Sequence, residues 1–297
     1  MVDISGELDN YVMKGVQHKY DETLLVITTP ECFKYCDYCF RKRFTKKKEY
    51  KEVFNVTSIN DITEYIKSHS TVSNVLLTGG DFLKNSNETI EIYLDTLSKT
   101  SIEYIRIGTK SLVHNIKRID SELIQILEKY NKIKRIIIQT HFNTIKNITS
   151  DVESKVRKLR SIDISLYNQT VILDGINNKE KELLNLCRQL YMIGIKQYYF
   201  FHCRPVEGNE RYRTNVFDNA SIFKNIRSKL PGNQKQFKYV LTNRLGKIEI
   251  VGLSKDAVFV KFNQCVDKKY VDVVTTIDKR SLWITEKEIM DSLKGKI

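Results

Sequence analysis

Short apolar, β-branched runs alternate with longer amphipathic stretches along most of the chain. The runs at 24–28, 75–78, 104–107, 135–139, 170–173 and 198–202 read as strands. The stretches at 60–69, 88–97, 121–129, 152–159, 180–192 and 221–228 carry helical spacing; in 121–129 the apolar positions are Leu123, Ile124, Ile126 and Leu127. Six strand-then-helix units predict a parallel sheet with helices outside. Six are too few for a closed eight-stranded barrel and enough for an open one. The expected class is α/β, a partial (β/α)6 TIM-type barrel over residues 1–232. After Pro231 the pattern changes to short strands at 237–242, 247–251, 258–262 and 271–274, with turns at Leu245-Gly246 and Lys255-Asp256. They predict a small, mostly β C-terminal extension over 233–297.

In folds of this kind the reactive face lies at the C-terminal ends of the strands. Four unusual segments each follow a strand: a cysteine loop after the first, Gly79-Gly-Asp81 after the second, Thr140-His-Phe-Asn143 after the fourth and the loop with Arg204 after the sixth. The topology therefore places all four on one face.

Composition adds limits. The 297 residues are 41% hydrophobic and 10% aromatic, ordinary for a globular chain. No apolar run approaches the roughly 20 residues of a membrane-spanning helix, and the N-terminus lacks the basic and apolar blocks of a signal peptide. The reading is a cytoplasmic protein without a membrane partner. Cys187, Cys203 and Cys265 are scattered singly, which is not a disulfide framework. The net charge of +13 admits a nucleic-acid partner. The lysines are dispersed, however, and clusters such as Lys46-Lys-Lys48 are short, which favours a solvated basic surface.

Cys32, Cys36 and Cys39 stand at a three-then-two spacing in one loop. Three thiolates can hold three irons of a four-iron, four-sulfur (4Fe-4S) cluster, whereas an electron-transfer cluster normally takes four cysteines. The iron left over is open to a small molecule. A zinc site is the alternative, but structural zinc wants four ligands from paired clusters, and no second pair is present.

At this point the chain resembles the radical S-adenosylmethionine superfamily, through the Cys-x3-Cys-x2-Cys loop with Tyr38 before its last cysteine and through Gly79-Gly-Asp81. The resemblance implies that S-adenosylmethionine binds the open iron and is cleaved to a 5′-deoxyadenosyl radical. It also implies a contact from the glycine turn, at Gly79, Gly80 and Asp81, to the methionyl end. Over roughly residues 15–220 the chain further resembles the lysine 2,3-aminomutase family. The shared segments are His18-Lys-Tyr-Asp-Glu22, Cys39-Phe-Arg-Lys-Arg-Phe44, Leu76-Leu-Thr-Gly-Gly-Asp81, Arg106-Ile-Gly-Thr109, Thr140-His-Phe-Asn143, Asn168-Gln-Thr-Val-Ile-Leu173 with Gly175, and Tyr198-Tyr-Phe-Phe-His-Cys203 through Gly208 and Arg213-Thr214. That likeness implies that Tyr38, His141 and Gln169 lie near S-adenosylmethionine and that Arg41 faces the α-carboxylate of an amino-acid-like substrate. A one-electron reductant such as flavodoxin or ferredoxin is implied as partner.

The departures are informative. Aminomutases of this family also use pyridoxal phosphate on a lysine within a glycine-rich segment. No such glycine run occurs here, and Lys247 in Leu245-Gly-Lys-Ile248 is the nearest candidate. Two arginines that hold the cofactor phosphate in the family fall on Lys19 and Thr23. Both changes argue against pyridoxal phosphate. Arg204 falls where lysine-specific members carry an aspartate for the distal ammonium. An arginine would repel that ammonium and attract an acid, unless it pairs with Glu207 or Glu210. The expectation is an aminomutase-like radical enzyme whose substrate is not lysine. The alternative is an enzyme without pyridoxal phosphate that modifies a peptide or RNA.

Overall fold

The computed structural model describes residues 3–45, 58–279 and 282–296. The basic cluster Lys46-Lys-Lys48 lies outside the described residues. Twelve strands form one sheet in chain order. They are β1 (Tyr11–Met13), β2 (Val16–Tyr20), β3 (Thr23–Thr29), β4 (Asn74–Gly79), β5 (Tyr104–Gly108), β6 (Arg135–Thr140), β7 (Ser165–Ile172), β8 (Lys196–His202), β9 (Lys238–Thr242), β10 (Gly246–Leu253), β11 (Ala257–Cys265) and β12 (Thr275–Asp278). Strands β3 to β9 pair in parallel. β1 and β2 precede them, and β10 to β12 follow, as antiparallel ribbons. The sheet does not close, because β1 and β12 end the order.

The crossovers are α1 (Ile59–Ser68), α2 (Asn87–Ser98), α3 (Ser121–Asn131), α4 (Ser150–Ser161), α5 (Glu180–Ile193) and α6 (Val216–Lys229), and α7 (Glu286–Leu293) follows the last strand. Short polar residues start them. The side chains of Ser86, Asp120, Thr149 and Asn215 each accept a backbone N–H of the first turn, and Thr285 with Glu288 makes a full capping box.

Alternation along the parallel strands divides core from cavity. Val75 and Leu77, Ile105 and Ile107, and Ile136 and Ile138 are buried in one apolar cluster with Leu94, Leu97, Leu123 and Leu127 of the helices. Burying each such side chain contributes about 1.5–3 kcal/mol. The intervening residues Leu76, Thr78, Arg106, Gly108, Gln139, Gln169 and Val171 line a cavity instead.

Three differences from the sequence reading have physical causes. The segment 271–274 is not a strand: Val271 makes a single bridge to Phe262, and β12 begins at Thr275. The residues 170–173 mark only the end of β7, whose first half alternates Leu166 with polar Asn168. Residues 237–242 form a strand as expected, but β9 pairs in parallel with β8. The sheet therefore continues across the expected boundary at residue 232, and among the described residues seven strands run parallel. The core crosses there too: Phe200 of β8 meets Phe223 of α6 and Phe237 at ring distances of 4.8 and 4.9 Å. His202 adds a polar tie, bonding Tyr239 Oη at 2.6 Å and the Leu282 carbonyl at 3.1 Å.

Deleting residues 233–297 should therefore expose the Phe200–Phe223 layer. The truncated chain should bind a hydrophobic dye and melt without cooperativity. A sharp calorimetric transition from the 1–232 fragment would instead mean that the first part folds alone.

Candidate active site

The residues expected to form the site face one place. Cys32, Cys36, Cys39, Tyr38, Arg41, Gly79, Gly80, Asp81, His141, Gln169, Arg204, Lys19 and Lys247 line a single cavity of about 380 Å³ at the C-terminal ends of the parallel strands. That volume lies in the range of small-molecule sites.

The cysteine loop is held by backbone contact. Gly80 N–H donates to the Thr29 carbonyl at 2.7 Å and Asp81 N–H to the Glu31 carbonyl at 2.8 Å. A Cβ on Gly80 would fall 2.1 Å from Glu31 O; on Gly79, where φ is +129°, it would fall 2.3 Å from Thr29 O. Only glycine permits that approach. Asp81 was expected to bind cofactor. It lines the cavity, and its carboxylate accepts from Thr109 Oγ1 at 2.6 Å, Lys110 N at 2.8 Å and Leu83 N at 3.1 Å. These bonds join the loops after β4 and β5.

The thiols are crowded. Burial first, then the neighbouring Cys39, pushes Cys32 up to about 12. A cation among them would reverse that trend, because a metal keeps its thiol ligands deprotonated. Among the described residues, no three His, Cys, Asp or Glu side chains stand close enough for one metal ion.

Three residues to which the sequence reading gave no individual role organise the loop. Lys110 Nζ donates to Tyr38 Oη at 2.5 Å and lies 3.5 Å from Cys36 Sγ. Asn143 Nδ2 also donates to Tyr38 Oη, at 2.7 Å. Asn209 Nδ2 reaches the carbonyls of Tyr38 and Arg204, and its Oδ1 accepts from Lys42 Nζ. The available signal was that Lys110, Asn143 and Asn209 all sit in loops following strands.

Several polar atoms in the site are buried without a partner: His141 Nε2, Thr140 Oγ1, Arg106 Nε, Tyr20 Oη and Thr242 Oγ1. Burial and the Lys110 charge hold His141 well below the usual imidazole range, so it is neutral. Such orphans are costly unless a ligand meets them.

The far side of the cavity is cationic. Lys247 Nζ donates to Gln264 Oε1 at 2.6 Å and lies 5.3 Å from the ring centres of both Tyr20 and Tyr199. Desolvation, then Arg106 and Arg204, pushes it down to about 7. Lys19 is likewise lowered, to about 8, by burial and Arg204. The guanidinium of Arg204 stacks 3.7 Å over the Phe40 ring, next to Cys39. Among the described residues no carboxylate pairs with Arg204: Glu210 pairs with Arg213 instead. Arg41, expected to await a substrate carboxylate, is in a buried ion pair with Glu7 at 2.7 Å.

The chain matches the Radical SAM superfamily over residues 26–187. It is 33% identical over 271 residues to the putative L-lysine 2,3-aminomutase of Aquifex aeolicus (strain VF5), covering 90% of this chain and 72% of that protein. It is 31% identical to the glutamate 2,3-aminomutase of Clostridioides difficile (strain 630) and 32% to the L-lysine 2,3-aminomutase of Acetoanaerobium sticklandii, covering 73% of this chain each time. The chain spans about half the length of those last two relatives: 50% and 52%. Among solved structures, Streptococcus suis SuiB bound to S-adenosylmethionine aligns with a TM-score of 0.57 at 13% identity, over 76% of this chain and 51% of SuiB. A histidine-tagged anSMEcpe with bound AdoMet aligns at 0.53 and 15%, over 92% and 80%. These two likenesses concern the fold.

Replacing Gly80 by Ala should overpack the loop junction by about 1–3 kcal/mol or more. Iron and labile sulfide retained after anaerobic reconstitution should fall. Gly232→Ala, which has nothing within 4 Å, should load like the parent. Equal loading of both variants would remove the glycine turn from the account.

Proposed function

The chain belongs to the radical S-adenosylmethionine superfamily, as a divergent lysine 2,3-aminomutase-like member, and from that premise we propose that it acts on an amino acid with an acidic side chain. When bound, a 4Fe-4S cluster and S-adenosylmethionine supply the 5′-deoxyadenosyl radical that takes a hydrogen atom from the substrate. Cys32, Cys36 and Cys39 would hold the cluster. His141 Nε2 and Thr140 Oγ1 offer unpartnered polar atoms to a ligand in the same cavity. An external one-electron donor completes the requirement, with flavodoxin or ferredoxin as candidates.

The observation that carries the substrate reading is Arg204. It faces the cavity, lacks a carboxylate partner among the described residues and stands against Phe40 beside the cluster loop. A cation so placed favours an acid and rejects an ammonium. One relative carries the name glutamate 2,3-aminomutase, which agrees with that preference.

The residues also fit pyridoxal phosphate, despite the missing glycine run. Lys247 has an amine lowered to about 7, so a substantial share is a free nucleophile near neutral pH. Arg106 and Lys19 supply positive charge within the same cavity, and Arg106 Nε is unpartnered. When bound, the cofactor would stabilise an unpaired electron beside the substrate nitrogen. Lys247 would hold it, and the cations around Lys247 would face its phosphate and the substrate acid.

With dithionite and S-adenosylmethionine, reconstituted enzyme should release 5′-deoxyadenosine, and Cys36→Ala should abolish the product. L-Glutamate or L-aspartate should stimulate release above the uncoupled rate, and L-lysine should not. Stimulation by lysine equal to that by glutamate would overturn the acid preference. For the cofactor, borohydride reduction in the presence of pyridoxal phosphate should add a phosphopyridoxyl mass to the peptide containing Lys247. Trapping should rise as the pH passes upward through about 7, since only the unprotonated amine reacts. Failure to modify that peptide at any pH would exclude Lys247 as the anchor.

A further inference from the structure

The cavity's cations are not left to themselves. A short N-terminal segment sorts them. Ser5 is buried, 7% exposed, and lies in the cavity wall. Its hydroxyl accepts from Arg204 Nη1, and its carbonyl accepts from Lys19 Nζ at 2.8 Å. Two residues on, Glu7 accepts from Arg41 Nε at 2.7 Å and lies 3.8 Å from Arg43 Nη2. Asp3 completes the set: it pairs with Arg43 at 3.1 Å and accepts the backbone N–H groups of Glu7 and Leu8 at 2.9 Å each. Gly6, at φ +63°, makes the turn between Ser5 and Glu7.

The partners differ in kind. Glu7 and Asp3 are carboxylates, and they balance Arg41 and Arg43. Ser5 offers only neutral oxygens, so it fixes Arg204 and Lys19 in place without a carboxylate in contact, and Glu7 attracts both only through space. A buried guanidinium held by a hydroxyl still seeks an anion; one held by a carboxylate does not. We propose that Ser5 is a positioning residue for specificity: it aims Arg204 and Lys19 at the side-chain acid of the substrate. This rests on the acid preference proposed above and goes further by naming what enforces it. The substrate's side-chain acid goes to the two cations that Ser5 holds.

The test is L-glutamate binding by calorimetry to reconstituted enzyme with S-adenosylmethionine present, with thermal melts as a folding control. Ser5→Ala should weaken binding about fivefold by losing one hydrogen bond. Ser5→Thr, which keeps the hydroxyl, should restore it to within about twofold. Ser5→Asp should weaken it by more than about tenfold, because its own carboxylate would neutralise Arg204. Affinity for S-adenosylmethionine should stay the same in all three. Under turnover the loss in Ser5→Ala should appear in KM with kcat retained. Arg204→Ala separates the two ideas. If it abolishes glutamate binding while Ser5→Ala and Ser5→Asp bind like the parent, the role of Ser5 fails and the acid preference stands. If Arg204→Ala binds glutamate as the parent does, or the parent does not bind it, the acid preference fails and the role of Ser5 with it.

Discussion

The close approach of two backbones, Gly79-Gly80 against Thr29–Glu31, is the constraint on which the site depends. It sets where the cysteine loop leaves β3. Asp81 passes the register on to Thr109 and Lys110 after β5, and Lys110 returns to Tyr38 and Cys36 inside the loop. Asn143 extends the same chain of contacts past β6: its amide holds Tyr38 and its Oδ1 accepts from Val171 N at 3.1 Å. Loops after four successive strands are thereby locked into one surface. Each link is a polar group satisfied by the next, so loosening one frees several.

Charge forms the second layer. The excess of basic residues is not only a surface property, since Lys19, Arg41, Arg106, Arg204 and Lys247 all line the cavity. A set of like charges in a desolvated space is unfavourable unless counter-charges or a ligand relieve it. The protein supplies part of that relief through Glu7 and Asp3. The remainder is an electrostatic preference for an anion, concentrated where Arg204 meets Phe40.

How far the sequence revealed this depended on the range of each interaction. Strand and helix periodicity is local, and the six units from β3 to α6 were legible from it. The chemistry-bearing loops were legible because strand ends in a parallel sheet face one way. The hairpin of β1 and β2 was not, since three-residue Tyr11–Met13 carries too short a pattern. Placing β9 in the parallel sheet required knowing its neighbour, because an isolated strand carries no direction in its composition. The Glu7–Arg41 pair spans 34 positions and the Lys19–Asn243 contact spans 224. No spacing rule reaches that far.

Lys247 links the two layers. Its position on β10 places it among Arg106, Arg204 and Lys19, and these charges with burial bring its amine down to about 7. The same cations that would draw an acidic ligand therefore also lower the proton affinity of this amine while the ligand is absent. An anion arriving beside Arg204 screens that repulsion and raises the proton affinity of Lys247. An acidic substrate would thus alter the protonation of the amine it approaches. A lysine ammonium in the same place would add to the repulsion and depress the amine further. On the proposed function, discrimination at Arg204 and reactivity at Lys247 would be two consequences of one buried charge distribution.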